Sequence, residues 1–261
     1  MSESLAGRRS THTVSSGHPV IGFQQGSSQG LAANAVELVD YATRAAALTP
    51  AFVPGPHDWM YRDELQRNPN FGPHGYHEQI WFEVGADRVA YLDHGKLSYG
   101  GGGPGGRDSQ LEGWPGESRN LYRYLATLPV EPAALRHMVL ANNHSRPSAA
   151  FRAIMYLMED FPLPARFQAE LYAVLTGLPR VRFDRSAIDF AGRHGIGLYM
   201  IQRRFWKMEI IINPRTYTYM GGLTIAVKAH TEYGRYVHKG SIEGWNAILG
   251  SGIVKKAGQL P

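Results

Sequence analysis

The stretch "VRFDRSAIDFAGRHGIGLYMIQRRFWKMEIIINPRTYTYMGGLTIAVK", residues 181–228, decides the fold class. It divides into four segments that predict β-strands: VRFDRSAIDF, GIGLYMIQR, FWKMEIII and TYTYMGGLTIAVK. AGRHG and NPRT supply turn chemistry between them. Because no stretch of helical length separates these strands, they predict an antiparallel sheet.

Further strands are predicted on both sides of this stretch, with helices in between. The other predicted strands are residues 58–65, 78–84, 88–97 and 245–258. Residues 85–87 are few enough to form a hairpin turn between the second and third of these. The predicted helices are residues 31–48, 131–142, 148–161 with Ser148 as N-cap, and about 164–176. The order of helix, strands, helices and strands predicts an α+β fold with a mainly antiparallel sheet of six or more strands and helices on one side.

Composition and charge narrow the class of protein. The chain has 261 residues, of which 43% are hydrophobic, so it can build a sizeable core. Lys and Arg exceed Asp and Glu by 27 − 22 = 5, and no basic block of the kind that follows a phosphate backbone occurs, so we expect no nucleic-acid partner. The absence of cysteine excludes disulfides and thiolate chemistry.

The first thirty residues are polar and contain no apolar run long enough for a signal peptide. Elsewhere the apolar stretches are shorter than the roughly 20 residues that span a bilayer. We therefore predict a flexible tail over residues 1–30, a single domain over residues 31–261, no membrane span and a cytoplasmic location. The sequence leaves the oligomeric state open.

Five stretches, in order along the chain, resemble the motifs of one family. They are YRYLATLPVEPAAL (122–135), PARFQAELYAVLTGLPRVRF (164–183), AGRHGIGL (191–198), INPRTYTYMGG (212–222) and SGIVKKAGQLP (251–261). Together they resemble an uncharacterised actinobacterial family of membrane-anchored proteins, which reads LPxDPxxL, PxxxAALYRxLAxxPGV, AGRxGxA, FDPxTYxxLG and VDRAGQ at these places. The resemblance implies a curved antiparallel sheet wrapped over helices, similar to the half-barrels of bacterial lipoprotein carriers, which encloses an apolar cavity.

The sequence departs from that family at three points. Asn213 stands where the family has an aspartate in FDPxT, and Glu131 stands where it has one in LPxDP. The family also has a transmembrane helix before this domain, whereas the chain has only the polar tail. A member without the anchor is expected to perform a different task from its membrane-bound relatives.

Three further motifs have plain explanations. The run GGGGPGG (100–106) opens no helix that could hold a phosphate, so residues 98–118 are predicted to form a mobile flap at the cavity mouth, with nothing apolar to anchor it. GSSQG (26–30) matches the nucleophile elbow GxSxG but precedes any sheet. HGYH (74–77) has two histidines and no obvious third ligand, so no metal site is predicted.

The candidate site residues come from the predicted strands. A carboxylate that points into a cavity of low dielectric has a raised pKa and can act as a general acid or base. The candidates for such an acid/base pair are Asp63, Glu83, Tyr91, Asp93, Tyr199 and Glu209. The alternative for each is exposure to water on the outer face of the sheet. The aromatic residues that would line a ligand pocket, or simply belong to the core, are Trp59, Tyr61, Trp81, Trp206, Tyr217 and Tyr219.

Two functions remain open. The first is a cofactor-independent cyclase or isomerase of bacterial secondary metabolism that acts on a hydrophobic, polyketide-like substrate, because such reactions need only a shaped pocket and one or two acid/base groups. The second is a non-catalytic protein that binds or carries a lipid or another hydrophobic small molecule in the same cavity. Loss of the membrane anchor favours the first.

Overall fold

The fold was obtained as a computed structural model, which describes residues 31–50, 54–67, 75–86, 88–101, 113–114 and 121–261. Within these ranges the helices are α1 (Ala35–Leu48), α2 (Leu121–Leu125), α3 (Pro132–Asn142), α4 (Pro147–Asp160) and α5 (Ala165–Thr176). The strands are β1 (Trp59–Arg67), β2 (Tyr76–Glu83), β3 (Arg88–Asp93), β4 (Lys96–Gly101), β5 (Arg182–Ile188), β6 (His194–Gln202), β7 (Trp206–Ile212), β8 (Tyr219–Ala226), β9 (His230–Glu232), β10 (Arg235–Val237) and β11 (Ile242–Val254).

Nine of these strands form one antiparallel sheet in the order β4-β3-β2-β1-β11-β8-β7-β6-β5. The long strand β11 lies between β1 and β8, and it joins the meander β1–β4 to the meander β5–β8. Strands β4 and β5 are the two edges, so the curved sheet does not close. The predicted α+β class with a half-barrel of antiparallel strands is confirmed.

The helices cover one face of this sheet, which we call the inner face. Helix α4 carries an apolar stripe at helical spacing, namely Phe151, Ile154, Met155 and Met158, and packs against β6 and β8. The stripe lies in the main core together with inner-face residues such as Leu198 of β6. Burial of each large apolar side chain contributes about 1.5–3 kcal/mol, so this contact holds the helices against the sheet.

Two irregularities in strand pairing set which residues point inward. The pairing of β1 with β11 shifts between Asp63 and Glu64, which leaves Leu249 as an extra residue in β11. The pairing of β7 with β8 shifts between Ile211 and Ile212, which leaves Met220 as an extra residue in β8. The alternation of faces along β11 and along β8 therefore shifts by one residue at each bulge, while paired residues on neighbouring strands still share a face.

Several predicted boundaries differ from the structure. Residues 88–97 form two strands rather than one, because His94 and Gly95 (φ 47° and 78°) make a tight turn. Helix α4 begins one residue before Ser148, and its N-cap is Arg146, whose side chain makes no capping hydrogen bond. The sequence reasoning also missed the short helix α2 and the small hairpin of β9 and β10.

The predicted flap over residues 98–118 has an apolar anchor at Trp114. Residues 98–101 belong to β4, and Trp114 is buried (5% exposed). The Trp114 indole donates a hydrogen bond to Ala153 O (3.1 Å) and packs near Phe167. The prediction that nothing apolar anchors this run is therefore wrong, because Trp114 inserts between α4 and α5. Residues 102–112 and 115–120 lie outside the described part of the chain.

Candidate functional site

Alternation along β1 brings charged side chains to the inner face. Met60 belongs to the main core beneath the helices, whereas Trp59 and Tyr61 belong to a separate cluster on the outer face. Because successive strand residues point to opposite faces, Arg62 and Glu64 share the inner face with Met60. Arg62 is 8% exposed and Glu64 is 1% exposed. A guanidinium and a carboxylate are therefore buried between sheet and helices.

The Arg62 guanidinium is the centre of this buried group. Its Nη2 lies 3.0 Å from Glu64 Oε1, and its Nη1 donates a hydrogen bond to the backbone oxygen of Glu159 on α4. Its carbon atom Cζ lies 5.4 Å from the centre of the Phe82 ring. Glu78 stands directly opposite Glu64 in the pairing of β1 with β2. Arg62 thus binds the Glu64 carboxylate and the backbone of Glu159. Glu78 lies beside Glu64 and accepts a hydrogen bond from Gln66 Nε2 (2.7 Å).

A tyrosine and an asparagine extend the group across β8 and β11. Tyr219 Oη donates to Asn246 Oδ1 (2.8 Å), and the same oxygen accepts from the Gly222 backbone N–H (2.7 Å). A Cβ atom at Gly222 would lie 2.9 Å from the terminal methyl of Met155, so a larger residue here would require the Met155 side chain to move. These contacts bring together the side chains of Arg62, Glu64, Tyr219 and Asn246 and the backbone oxygen of Glu159. We call these five residues the inner cluster.

Burial dominates the electrostatics of the inner cluster. It raises the pKa of Glu159 to about 8, with further increases from Asp160 and Glu64 and a partial reduction from Arg62. Burial also raises the pKa of Glu64, while Arg62 lowers it in part. The pKa of Tyr219 is raised well above its ordinary value by burial and by the nearby Glu159. Glu159 therefore keeps its proton at neutral pH and can donate it.

Three polar atoms of the inner cluster lack a well-aligned hydrogen-bond partner among the described residues. They are Arg62 Nε, Glu64 Oε1 and Asn246 Nδ2, all buried. Glu64 Oε1 has the ion-pair contact with Arg62 described above, but its geometry falls short of a hydrogen bond. The Asn246 amide also interacts with the Glu64 carboxylate and lowers its pKa in part. Arg62 Nε is therefore the donor of the three that has no partner among the described residues, and a buried group of this kind costs about 1–3 kcal/mol.

Four of the predicted acid/base residues lie on the outer face instead. Asp63 Oδ1 lies 2.5 Å from His77 Nε2, away from the inner cluster. Glu83 lies 3.3 Å from Arg88 Nε and 3.9 Å from His57 Nδ1. Tyr199 and Glu209, the other two, are described below. The predicted acid/base role requires a side chain that points to the inner face. Alternation along β1, β2, β6 and β7 instead directs these four side chains to the outer face.

Tyr199 and Glu209 are brought together, as neighbours across β6 and β7. Lys207 Nζ lies 2.7 Å from Glu209 Oε2, 3.6 Å from Asp184 Oδ2 and 4.6 Å from the centre of the Tyr199 ring. Glu209 is 3% exposed, and burial raises its pKa while Lys207 lowers it in part. This group is distinct from the inner cluster. Lys207 contacts Glu209 Oε2, while Glu209 Oε1 is buried without a hydrogen-bond partner among the described residues.

The remaining two acid/base candidates are on β3. Tyr91 is paired with Ile80 of the inner face, but it is 38% exposed near the edge of the sheet. The backbone of Asp93 pairs with that of Lys96 at the end of β3, and the Asp93 side chain lies outside the described part of the chain.

The predicted pocket aromatics divide among four places. Trp59, Tyr61 and Trp81 pack together on the outer face, where the Trp81 indole donates to Gln259 O (2.7 Å). Trp206 donates to Glu232 Oε2 (3.1 Å) in a small separate cluster. The other two are Tyr217, which packs edge-on against Tyr41 of α1, and Tyr219. Of the six, Tyr219 alone belongs to the inner cluster.

Sequence reasoning missed Arg62, Glu64, Glu159 and Asn246. A signal for the first two existed, since they alternate with outer-face residues in step with Met60. Glu159 follows Met155 by four residues, which puts it on the apolar stripe of α4. No comparable signal marks Asn246, because the direction of its side chain depends on the bulge in β11.

The family-like motifs have structural roles in this chain. The Glu131 carboxylate caps α3 by accepting from Ala133 N (3.1 Å) and Ala134 N (2.7 Å). Asn213 Oδ1 accepts from Arg215 N (2.8 Å) and Thr216 N (3.0 Å), which closes the turn before β8. Aspartate could accept hydrogen bonds at both places, so these two departures leave the local function of each motif intact.

Of two other sequence motifs, one lies outside the described residues and the other is described in part. GSSQG (26–30) and His74 of HGYH are not described, while His77 pairs with Asp63. In the described ranges, no group of three His, Asp or Glu side chains is arranged to hold a metal ion. Each helix in the same ranges is too short or too polar to cross a lipid bilayer.

Comparison with known proteins gives no family assignment for this chain. No protein-family model matches the chain, and no curated protein does. Among solved structures, a chain of the Pseudomonas aeruginosa MucA/MucB complex is similar at a TM-score of 0.33 and 12% identity. The alignment covers 87% of this chain and 58% of that one. At this TM-score the similarity supports no argument about function, and the resemblance to the actinobacterial family stays a prediction.

Proposed function

We propose that the inner cluster is the working site of a cofactor-independent enzyme that transfers protons on a hydrophobic carbonyl compound, as a polyketide-type cyclase or isomerase does. The observation that carries the proposal is the meeting of Arg62, Glu64 and Glu159 between sheet and helices, where Arg62 Nε is buried without a hydrogen-bond partner among the described residues. A buried charged group of this kind stabilises a fold less than an apolar core of the same volume, so a functional explanation is preferred.

The roles follow from the environments of the two glutamates. Glu159, whose pKa is about 8, is the general acid that protonates a developing oxyanion. Glu64, whose pKa is raised by burial and lowered in part by Arg62, is the base that removes a proton from the carbon next to a carbonyl group. The Tyr219 hydroxyl and the Asn246 amide position the substrate oxygen. Proton transfer between these groups needs no further reactant.

The test uses a simple probe ketone and two variants at adjacent positions. Deuterium incorporation next to the carbonyl of 2-tetralone in D₂O is followed by NMR, with the purified protein and with Glu64→Gln. We expect the variant to lose about a hundredfold or more of the protein-dependent rate. Asp63→Asn is the matched control, because Asp63 is the next residue on β1 and points to the outer face.

Exchange that is equally fast in Glu64→Gln and in the wild type, at equal melting temperatures, would contradict the proposal. So would the absence of any protein-dependent exchange with several apolar ketones. Loss of exchange in both variants would show that the probe reports general surface basicity, and it would count against the inner cluster as well.

A second candidate function is binding or carriage of a hydrophobic small molecule at the same place. It is favoured by five buried methionines in the main core, namely Met60, Met155, Met158, Met200 and Met208. Methionine side chains are flexible and polarizable, and they adapt to apolar ligands of different shapes. Saturable fluorescence of N-phenyl-1-naphthylamine on binding, reduced by Met155→Trp and accompanied by no ketone exchange, would favour this function over catalysis.

A further inference from the structure

Two tight turns meet at one end of the sheet. Arg203 and Arg204 occupy the turn between β6 and β7, with φ of 47° and 70°. Tyr233 and Gly234 occupy the two-residue turn between β9 and β10, with φ of 48° and 76°. An ion pair between Arg203 Nη1 and Glu232 Oε1 (2.7 Å) connects the two turns. The hairpin of β9 and β10 is thereby fixed beside the main sheet.

The backbone of these turns does not favour the side chains that it carries. Positive φ angles suit glycine and asparagine, and a residue of another type costs of order 1 kcal/mol or more at each such position. Here Arg203, Arg204 and Tyr233 adopt them, although Gly234 shows that the ordinary solution was available in one turn. The chemistry of the side chains, rather than the geometry of the turns, therefore needs an explanation.

These side chains belong to an exposed group that is both basic and aromatic. We call it the hairpin patch, and its members are Arg203, Arg204, Lys228, Tyr233, Arg235, Tyr236 and Lys239. Tyr233 is 93% exposed and Tyr236 is 59% exposed. The five basic residues outnumber Glu232 and Glu243, and Glu232 is already engaged by Arg203 and by the Trp206 indole. The patch combines two separate parts of the sequence, so the sequence alone shows no basic block.

We propose that the hairpin patch binds the surface of a membrane that contains anionic phospholipids. Lys and Arg side chains near such a surface each contribute about 1 kcal/mol of attraction. Tyrosine rings suit the headgroup region, because one end is apolar and the other can remain hydrated. The patch presents both kinds of group together at the turns, with Tyr233 almost fully exposed.

The shape of the patch favours a membrane over single-stranded nucleic acid. Proteins bind nucleic acid strands in a positively charged groove whose aromatic residues stack on successive bases. Here the exposed tyrosines lie on a short two-stranded hairpin, with Tyr233 at its turn. A projecting turn contacts a broad, deformable surface more readily than it encloses a strand.

The test is co-sedimentation of the full chain with vesicles of phosphatidylcholine, with and without about one third phosphatidylserine. We expect binding to the anionic vesicles that is weakened by salt and reduced about tenfold or more in Arg204→Ser/Lys239→Ser. The matched control is Lys96→Ser/Lys256→Ser, which removes the same charge from exposed positions outside the patch and should bind as the wild type does. Tyr233→Ser tests the aromatic contribution without changing charge.

Three results would overturn the proposal. The first is failure to bind anionic vesicles. The second is equal loss of binding in both double variants, which would reveal attraction by net charge alone. The third is tighter binding to a labelled oligodeoxythymidine than to the vesicles, with the same dependence on Arg204 and Lys239, which would assign the patch to nucleic acid. Circular dichroism melts of each variant establish that the fold is intact.

Discussion

The inner and outer faces of the sheet each bury a glutamate beside a cation, and they differ in how the charge is balanced. On the outer face, Glu209 has Lys207 at 2.7 Å, and the lysine side chain is 20% exposed, so water reaches the pair. On the inner face, the Arg62 side chain is 10% exposed, contacts the Glu64 carboxylate and also lowers the pKa of Glu159. A carboxylate beside a partly hydrated lysine is therefore a weaker candidate site than carboxylates that share one buried arginine.

The largest expected difference between the two faces comes from removing each cation. Arg62→Met leaves buried carboxylates without their partner, and we expect it to lower the free energy of unfolding by about 3–5 kcal/mol. Lys207→Met should cost about 1–2 kcal/mol, because Lys207 is partly hydrated already. Urea unfolding followed by circular dichroism measures both. Equal losses would mean that the two faces are electrostatically alike.

The pH dependence of stability gives the next largest effect. The pKa of Glu159 is about 8 in the folded protein and 4.5 by its ordinary value, so the unfolded chain releases the proton first as pH rises. The free energy of unfolding of the wild type should therefore fall between these two pH values, by up to about 1.4 kcal/mol per pH unit. Below the ordinary pKa this contribution is fully present.

Glu159→Gln removes that titration, so its stability relative to the wild type should increase as pH rises through the same window and level off above it. Urea midpoints measured from pH 5 to pH 9 follow the change. Glu209→Gln on the outer face should show a smaller change in the same direction, because Lys207 offsets part of the effect of burial. A flat difference between Glu159→Gln and the wild type would show that Glu159 is solvated.

The smallest effect is expected at Asn213, which lies in a turn and belongs to neither face of the sheet. Asn213→Asp keeps the side-chain oxygen that closes the turn before β8, so it should change the free energy of unfolding by less than about 0.5 kcal/mol. Asn213→Ala removes both hydrogen bonds and should cost about 1 kcal/mol. Thermal melts distinguish the two. A large loss in Asn213→Asp would mean that the turn is sensitive to negative charge.

The sequence predicted the fold class better than the site, for reasons that particular residues show. The four strands in 181–228 and their turns are local patterns, and the structure has β5 to β8 there. The face that a strand residue occupies depends on its position relative to a covering helix, which no local pattern contains. Asp63 and Glu64 are adjacent, equally charged and equally plausible from the sequence, yet they lie on opposite faces.

Strand bulges are a second reason why the sequence alone does not predict which face a residue occupies. Counting alternate residues along β11 from Asn246 gives the wrong face beyond Leu249, because the bulge there shifts the count by one. Trp114 is a third reason why the sequence prediction failed in part. The predicted flap over residues 98–118 is rich in glycine, yet its one tryptophan is buried in the core.

The pairing of β1 with β11 also governs the order in which the protein can be assembled. Trp59 pairs with Val254, so the first and last strands in chain order are hydrogen-bonded neighbours. During synthesis the meander of β1–β4 must wait for nearly the whole chain before it joins β5–β8, and contacts of such long sequence separation form slowly. We expect Glu64 to stay hydrated through this period, so that the burial which raises its pKa is completed only when β11 takes its place.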